Sequence, residues 1–166
     1  KLTVDAKDIS KLTVDELTSE TYNHGSAITK NVVVRYGEKT LTNNTDYTVE
    51  YSNNINAGEA SVVITGNGNY TGSKTVKFNI TRFNATSSAV VSVDSSYTYT
   101  GSAITPNPVV KIGEYTLVKG TDYTVSYEDN TELGTTAIVL VTFIGNYDGT
   151  ANTTLAIVTD ALTIDD

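Results

Sequence analysis

The chain has 166 residues, of which 39% are hydrophobic and 18% are charged, and its formal net charge at neutral pH is −8. This balance is typical of a folded globular protein rather than of a disordered one. The sequence contains no Cys, which excludes disulfides and thiolate chemistry. Its single His, His24, excludes both a Ser-His-Asp triad and a multi-His metal site.

Charge is distributed unevenly along the chain. Residues 1–81 carry eight basic and nine acidic side chains, whereas residues 82–166 carry three and ten. Nucleic acids and anionic membrane surfaces would repel such a chain, and we expect neither as a partner. No run of about 18 apolar residues predicts a membrane span, so we expect no direct membrane insertion. Lys1–Val4 does not have the layout of a signal peptide, and we expect a fragment of a longer protein.

The predicted strands of the first half are short. Residues 46–51 and 75–80 alternate between apolar and polar side chains, as in strands that bury one face. Residues 61–64 are continuously apolar, which predicts a strand buried on both faces. The predicted inward positions of the alternating strands are Tyr47, Val49, Tyr51, Val76, Phe78 and Ile80.

The second half continues in the same style. Residues 80–84 join the halves without Gly or Pro, and Phe83 is a candidate contact at that junction. Residues 122–127 alternate like residues 46–51, and residues 137–141 are continuously apolar. Turn signals rich in Gly and Asn separate the strands, since such turns need positive φ angles.

Whole motifs of the first half return in the second. Thr-Asp-Tyr-Thr-Val begins at Thr45 and again at Thr121, 76 residues later, and Gly-Asn-Tyr begins at Gly68 and again at Gly145, 77 residues later. Self-similarity at a fixed period indicates one structural unit made twice. We therefore predict an all-β chain of two domains, residues 1–81 and 82–166, each an Ig-like β-sandwich of about seven strands. A β-grasp unit is disfavoured because no amphipathic helix is evident.

The repeated tyrosines alternate with valines, which predicts core positions whose hydroxyls reach the backbone. These structural tyrosines are Tyr47, Tyr51, Tyr70, Tyr123, Tyr127 and Tyr147. Tyr97 and Tyr115 have no tyrosine counterpart and are the candidate ligand-binding residues. Asp46 and Asp122 precede a core tyrosine and are expected to cap backbone N–H groups.

Two further kinds of site were considered. Glu128, Asp129 and Glu132 form the densest group of oxygen ligands, a weak calcium candidate that the first copy does not share. A solvated acidic turn is the favoured interpretation, so we predict no metal, cofactor or catalytic residue. Lysines could form isopeptide bonds in such domains, but no lysine is shared between the copies at an inward position.

The ordered motifs resemble a tandem repeat of large surface proteins from Gram-positive, clostridial-type bacteria. They are Tyr-x-Gly-x-Ala-Ile-Thr-Pro at residues 99–106, Gly-Thr-Asp-Tyr-Thr-Val-x-Tyr at 120–127, Asn-Asn-x-x-x-Gly at 53–58 and Gly-Asn-Tyr-x-Gly at 145–149. The first copy departs from the pattern, with Lys30 and Val32 where the second has Pro106 and Pro108. The resemblance implies Ig-like extracellular modules, secreted or attached to the cell wall, that act as stalks or spacers.

We therefore expect a non-enzymatic spacer, monomeric, whose partners are other domains of the same polypeptide. The alternative is an adhesin or carbohydrate-binding module that recognises a glycan, mucin or a protein receptor. Its ligand would meet the unshared tyrosines, since the shared ones are needed for folding.

Overall fold

The computed structural model describes residues 5–160; Lys1–Val4, and with it the signal-peptide prediction, lies outside the described residues, as do residues 161–166. The chain divides into two compact units, Lys1–Arg82 (unit 1) and Phe83–Asp166 (unit 2). Residues 5–160 form strands and turns with one short 3₁₀ helix, Ile9–Lys11, and no α-helix. The prediction of an all-β fold is confirmed.

Each unit contains nine strands. Those of unit 1 are β1 (Lys7–Asp8), β2 (Thr13–Val14), β3 (Glu20–Thr21), β4 (Val34–Tyr36), β5 (Lys39–Thr40), β6 (Tyr47–Ser52), β7 (Gly58–Gly66), β8 (Tyr70–Thr71) and β9 (Ser73–Thr81). Those of unit 2 are β10 (Phe83–Asn84), β11 (Ala89–Ser92), β12 (Ser96–Thr98), β13 (Val109–Ile112), β14 (Tyr115–Thr116), β15 (Tyr123–Glu128), β16 (Thr136–Phe143), β17 (Tyr147–Asp148) and β18 (Thr150–Val158).

The strands of the two units pair in the same way. Unit 1 has a four-stranded sheet in the order β3-β9-β7-β6 and a three-stranded sheet in the order β2-β4-β5. Unit 2 repeats these sheets as β12-β18-β16-β15 and β11-β13-β14. Seven strands per unit therefore build the two main sheets, as in a β-sandwich, and the remaining two form a separate ladder, β1-β8 or β10-β17.

The first and last strands of each unit run parallel to one another. Strand β3 pairs in parallel with the end of β9, with Glu20 opposite Ile80. Strand β12 pairs in parallel with the end of β18, with Tyr97 opposite Ile157. The short ladders β1-β8 and β10-β17 are parallel too. All other strand pairs in the two main sheets are antiparallel.

The central strands bury one face completely and the other only in part. In β7 Ala60, Val62 and Ile64 are fully buried, whereas Ser61 and Val63 between them are half-buried. Strand β16 alternates in the same way. The prediction that these strands are buried on both faces is therefore wrong, because each main sheet is covered on one face only. A continuous apolar run does not distinguish the two cases.

The core of unit 2 lies against the buried face of its four-stranded sheet. It consists of Ile104, Ala137, Val139, Leu155 and Ile157, with Val93, Tyr97, Val125 and Tyr127 packed around it. Phe83, predicted as a contact at the junction of the halves, lies in β10 inside unit 2. It pairs with Tyr147 in the ladder, and the two rings meet edge to face with centroids 6.2 Å apart.

Candidate functional site

The first tyrosine of each Asp-Tyr-Thr-Val motif is buried. Tyr47 and Tyr123 open the equivalent strands β6 and β15 and are 2% and 4% exposed. The Tyr47 hydroxyl donates to the carbonyl oxygen of Val32 at 2.6 Å, and that of Tyr123 donates to the carbonyl of Pro108 at 3.1 Å. A buried phenol needs such a partner, and the backbone provides it at the same place in both units.

The second tyrosine of the motif lies two residues further on and is half-buried. The Tyr51 hydroxyl donates to the Lys30 carbonyl at 2.6 Å and accepts from the Lys30 N–H at 3.0 Å. The Tyr127 hydroxyl donates to the carbonyl of Pro106 at 2.5 Å. Proline has no N–H, so the second copy retains only half of this exchange.

The last repeated tyrosines lie in the short parallel ladders. Tyr70 in β8 is 8% exposed and Tyr147 in β17 is 3% exposed. The Lys39 ammonium lies 5.8 Å from the centre of the Tyr70 ring. All six repeated tyrosines are thus at least half-buried, which leaves little of their surface for a ligand.

Burial also changes the acidity of three of these phenols. It raises the pKa values of Tyr47, Tyr123 and Tyr127 above the usual value near 10, because the charged phenolate would lose its hydration. Nearby negative charge acts in the same direction, from Asp46 on Tyr47 and from Asp122 on Tyr123. The phenols are therefore held in the neutral form that donates to a carbonyl.

We expect Tyr123→Phe to make unit 2 less sensitive to alkali. A phenol whose pKa is raised by folding contributes its full stabilisation below about pH 10, and that contribution falls as the pH rises through the folded pKa. The variant loses a hydrogen bond and should be about 1 kcal/mol less stable at pH 8, with a shallower decline above pH 10. Amide hydrogen exchange in β16 between pH 8 and 11 measures this, and parallel declines in both proteins would contradict it.

The conserved-looking acids of the repeat are turn caps rather than catalytic groups. The Asp46 carboxylate accepts from the Thr42 N–H at 2.8 Å, and the Asp122 carboxylate accepts from the Val118 N–H at 2.8 Å. The expectation that both aspartates cap backbone N–H groups is confirmed.

A repeated asparagine has a role that sequence reasoning missed. The Asn54 side chain donates to the Ile28 carbonyl at 2.8 Å, and the Ile28 N–H donates back to the Asn54 carbonyl at 2.8 Å. Asn130 and Ile104 make the same two contacts, at 3.0 and 2.8 Å. This clamp fixes the Ala-Ile-Thr segment beside the loop, and the signal for it was the recurrence of Asn in an otherwise divergent turn.

Tyr97 takes the place of an ion pair in the other unit. Glu20 lies opposite Ile80 in unit 1, and Tyr97 lies opposite the equivalent Ile157 in unit 2. Glu20 accepts from the Lys30 ammonium at 2.7 Å, and the Lys30 side chain is only 8% exposed. The Lys30 ammonium also lies 5.8 Å from the centre of the Phe78 ring. A buried lysine here was not foreseen, because its neighbours in sequence give no sign of burial.

In unit 2 the ring of Tyr97 packs against the core instead. Its hydroxyl donates to the Asp94 carboxylate at a long 3.5 Å. The ring also lines a concave surface of about 270 Å³ together with Ser92, Val93, Asp94, Asn107 and Val109. Tyr97 is therefore both a cover for the core and part of a shallow surface site.

Tyr115 lies elsewhere. It belongs to β14, at the edge of the three-stranded sheet, opposite Ile112, and is 48% exposed. Tyr97 belongs to the four-stranded sheet, and the concave surface that it lines does not include Tyr115. The structure therefore does not bring the two candidate ligand-binding tyrosines together in that site.

The acidic loop of unit 2 is closed by its own backbone. Asp129 has a positive φ of 53°, like Asn53 with 54° at the same place in unit 1. The Thr135 hydroxyl donates to the carbonyls of Asp129 and Glu132, at 2.9 and 2.7 Å. Within residues 5–160 no three Asp, Glu, His or Cys side chains converge as metal ligands, so Glu128, Asp129 and Glu132 do not form a cage.

The other lysines make ordinary polar contacts. The Lys74 ammonium donates to the Leu12 carbonyl at 2.6 Å, and that of Lys77 pairs with Glu59 at 2.5 Å on the surface. The Arg35 guanidinium forms a bidentate pair with Asp15 and lowers the pKa of that carboxyl. These are contacts of a folded surface, and none places a lysine beside an amide or carboxyl carbon for crosslinking.

Comparison with known proteins adds no name to this geometry. No family model matches the chain, and no curated protein matches it either. Within the described residues no helix is long and apolar enough to cross a membrane.

Proposed function

We propose that the chain is a non-catalytic spacer of a bacterial cell-surface or secreted protein, built from two Ig-like domains that separate functional domains of the same polypeptide. The observation that carries this proposal is the parallel pairing of the first and last strands, which occurs in both units. The extracellular, Gram-positive setting rests on the motif resemblance and belongs to the same proposal.

Parallel terminal strands are suited to bearing tension. When the two ends of a unit are pulled apart, the first strand is drawn toward its start and the last strand toward its end. The strands then slide along one another, and their hydrogen bonds are loaded together rather than opened one after another. The ladders β1-β8 and β10-β17 are parallel and are loaded in the same sense.

The same pairing also makes each unit a spacer. Strand β1 lies beside β8, next to the start of β9, and the chain leaves unit 1 at the other end of β9. The nine residues of β9 span roughly 30 Å at about 3.3 Å per residue. The points where the chain enters and leaves the unit are therefore separated by about the length of its last strand.

The remaining features agree with a role that needs no chemistry. The repeated tyrosines, aspartates and asparagines all make contacts within their own unit. Structural use of the shared residues is what two copies of a load-bearing module would retain.

We expect Tyr99→Pro to weaken unit 2 under tension. The Tyr99 N–H donates to the Val158 carbonyl at 2.8 Å and extends the β12-β18 ladder by one bond. Proline removes that donor, whereas Tyr99→Thr removes the ring and keeps the N–H. In single-molecule pulling from the two chain ends, the proline variant should lower the unfolding force of unit 2 and leave that of unit 1 unchanged.

A second pulling axis provides the control. Because the chain has no Cys, two introduced cysteines can attach handles across β15 and β16, which are antiparallel and would open bond by bond. We expect a lower force along that axis. Equal forces along both axes, or equal forces for wild type and Tyr99→Pro, would contradict the spacer proposal.

A further inference from the structure

Unit 2 carries a surface site whose equivalent in unit 1 is filled. The concave surface beside Tyr97 lies between the end of β11, β12 and the segment leading into β13. In unit 1 the Lys30 side chain covers this region, reaching Thr18 at 2.9 Å and Glu20 at 2.7 Å across the Phe78 ring. The backbone position of Lys30 is occupied by Pro106 in unit 2, since Tyr51 and Tyr127 hydrogen-bond to these two carbonyls in the same way.

Proline cannot reach across the site as lysine does. The residue that follows it, Asn107, instead presents its side chain to the concave surface. The Asn107 Oδ1 accepts from the Lys119 ammonium at 2.8 Å, which fixes the amide and leaves its NH₂ group as the donor. The open site thus follows from two substitutions between the copies, Glu20 to Tyr97 and Lys30 to Pro106.

The lining combines polar groups with apolar surface. Asp94 supplies a carboxylate that only accepts hydrogen bonds, Asn107 supplies amide donors, and Ser92 supplies a hydroxyl. Tyr97, Val93 and Val109 supply an aromatic ring and two branched alkyl groups. A sugar ring presents the complementary surface, with hydroxyls at its edge and C–H bonds on its faces.

We propose that this concave surface of unit 2 binds a neutral sugar residue of a glycan. The volume of about 270 Å³ lies just below the roughly 300–1,000 Å³ of pockets for drug-sized ligands, which suits one sugar ring. The excess of ten acidic over three basic residues in residues 82–166 disfavours sialylated or sulfated sugars. The proposal goes beyond the spacer function, which stands or falls separately in the pulling experiment.

The affinity of one such site is low, because a single ring makes few contacts. A Kd on the order of 1 mM corresponds to weak binding that repeated copies on a surface strengthen through avidity. NMR titration of the labelled tandem measures affinities in this range residue by residue. The probes are galactose, glucose and N-acetylglucosamine, with N-acetylneuraminic acid as the anionic comparison.

We expect at least one neutral sugar to shift the amide signals of Ser92, Asp94, Tyr97 and Asn107 in a saturable way. Asp94→Ala and Asn107→Ala, both changes of exposed polar side chains, should weaken binding at least tenfold with the remaining spectrum unchanged. The double variant Tyr97→Glu, Pro106→Lys installs the ion pair of unit 1 and should close the site without unfolding unit 2.

The outcomes separate cleanly. Saturable shifts confined to this surface and lost in the double variant support the proposal. No localised shift with any of the three neutral sugars overturns it, and so do shifts that persist in the double variant. Tighter binding of N-acetylneuraminic acid than of the neutral sugars overturns the assignment of ligand class.

Discussion

Replacing Ile157 by Ala is expected to destabilise unit 2 by about 2–5 kcal/mol, the range found when a large aliphatic side chain is removed from a packed core. Ile157 is fully buried, belongs to the core of unit 2 and lies opposite Tyr97 in the β12-β18 ladder. Its backbone bonds do not depend on the side chain, so the loss comes from packing. For a domain of this size the Tm of unit 2 should fall by about 10 °C or more.

The neighbouring residue is the matched control. Val158 lies on the same strand but is 40% exposed, and Val158→Ala should change the free energy of unfolding by no more than about 0.5 kcal/mol. Calorimetry of the tandem, with amide exchange in β16 to identify the unit, distinguishes the two variants. Equal losses in both would show that the buried face of the four-stranded sheet has been misassigned.

Gly145→Ala is expected to destabilise its unit far more than the equivalent Gly68→Ala. Both glycines have positive φ, 67° and 62°, a conformation that costs an L-residue about 1–2 kcal/mol. A Cβ at Gly145 would lie 2.6 Å from the Thr121 carbonyl oxygen, whereas at Gly68 it would lie 3.5 Å from that of Thr45. The first distance is a clash with backbone and the second is ordinary contact.

The expected difference follows from that one contact. Overpacking adds about 1–3 kcal/mol to the backbone strain at Gly145 but nothing at Gly68. Urea denaturation, followed by amide exchange in β7 and β16, gives the free energy of unfolding of each unit. Similar losses for the two variants would mean that the loop of unit 2 relaxes to accommodate the methyl group.

Much of the fold was predictable from local signals. The alternation in residues 46–51 and 122–127 matches β6 and β15, because strands that bury one face leave a period of two in the sequence. The parallel ladders were not foreseen. Their strands are mostly two residues long and pair with partners about 60 residues away, so neither periodicity nor turn spacing announces them.

The site was less predictable than the fold. Sequence comparison of the two halves identified Tyr97 as unshared, but only the register showed that it stands at the position of Glu20. The role of Lys30 depends on Phe78 and Glu20, which lie far from it in sequence. Such contacts are set by tertiary packing, and composition alone gives no access to them.

The separation between the points where the chain enters and leaves each unit also has an evolutionary consequence. A gene segment for such a unit can be copied in frame, because its first and last strands already complete each other inside one copy. Recombination between similar segments would then add or delete whole modules and vary the reach of the protein without redesigning any core. Individual copies are free to diverge at their surfaces, as the exchange of an ion pair for a tyrosine and a proline illustrates.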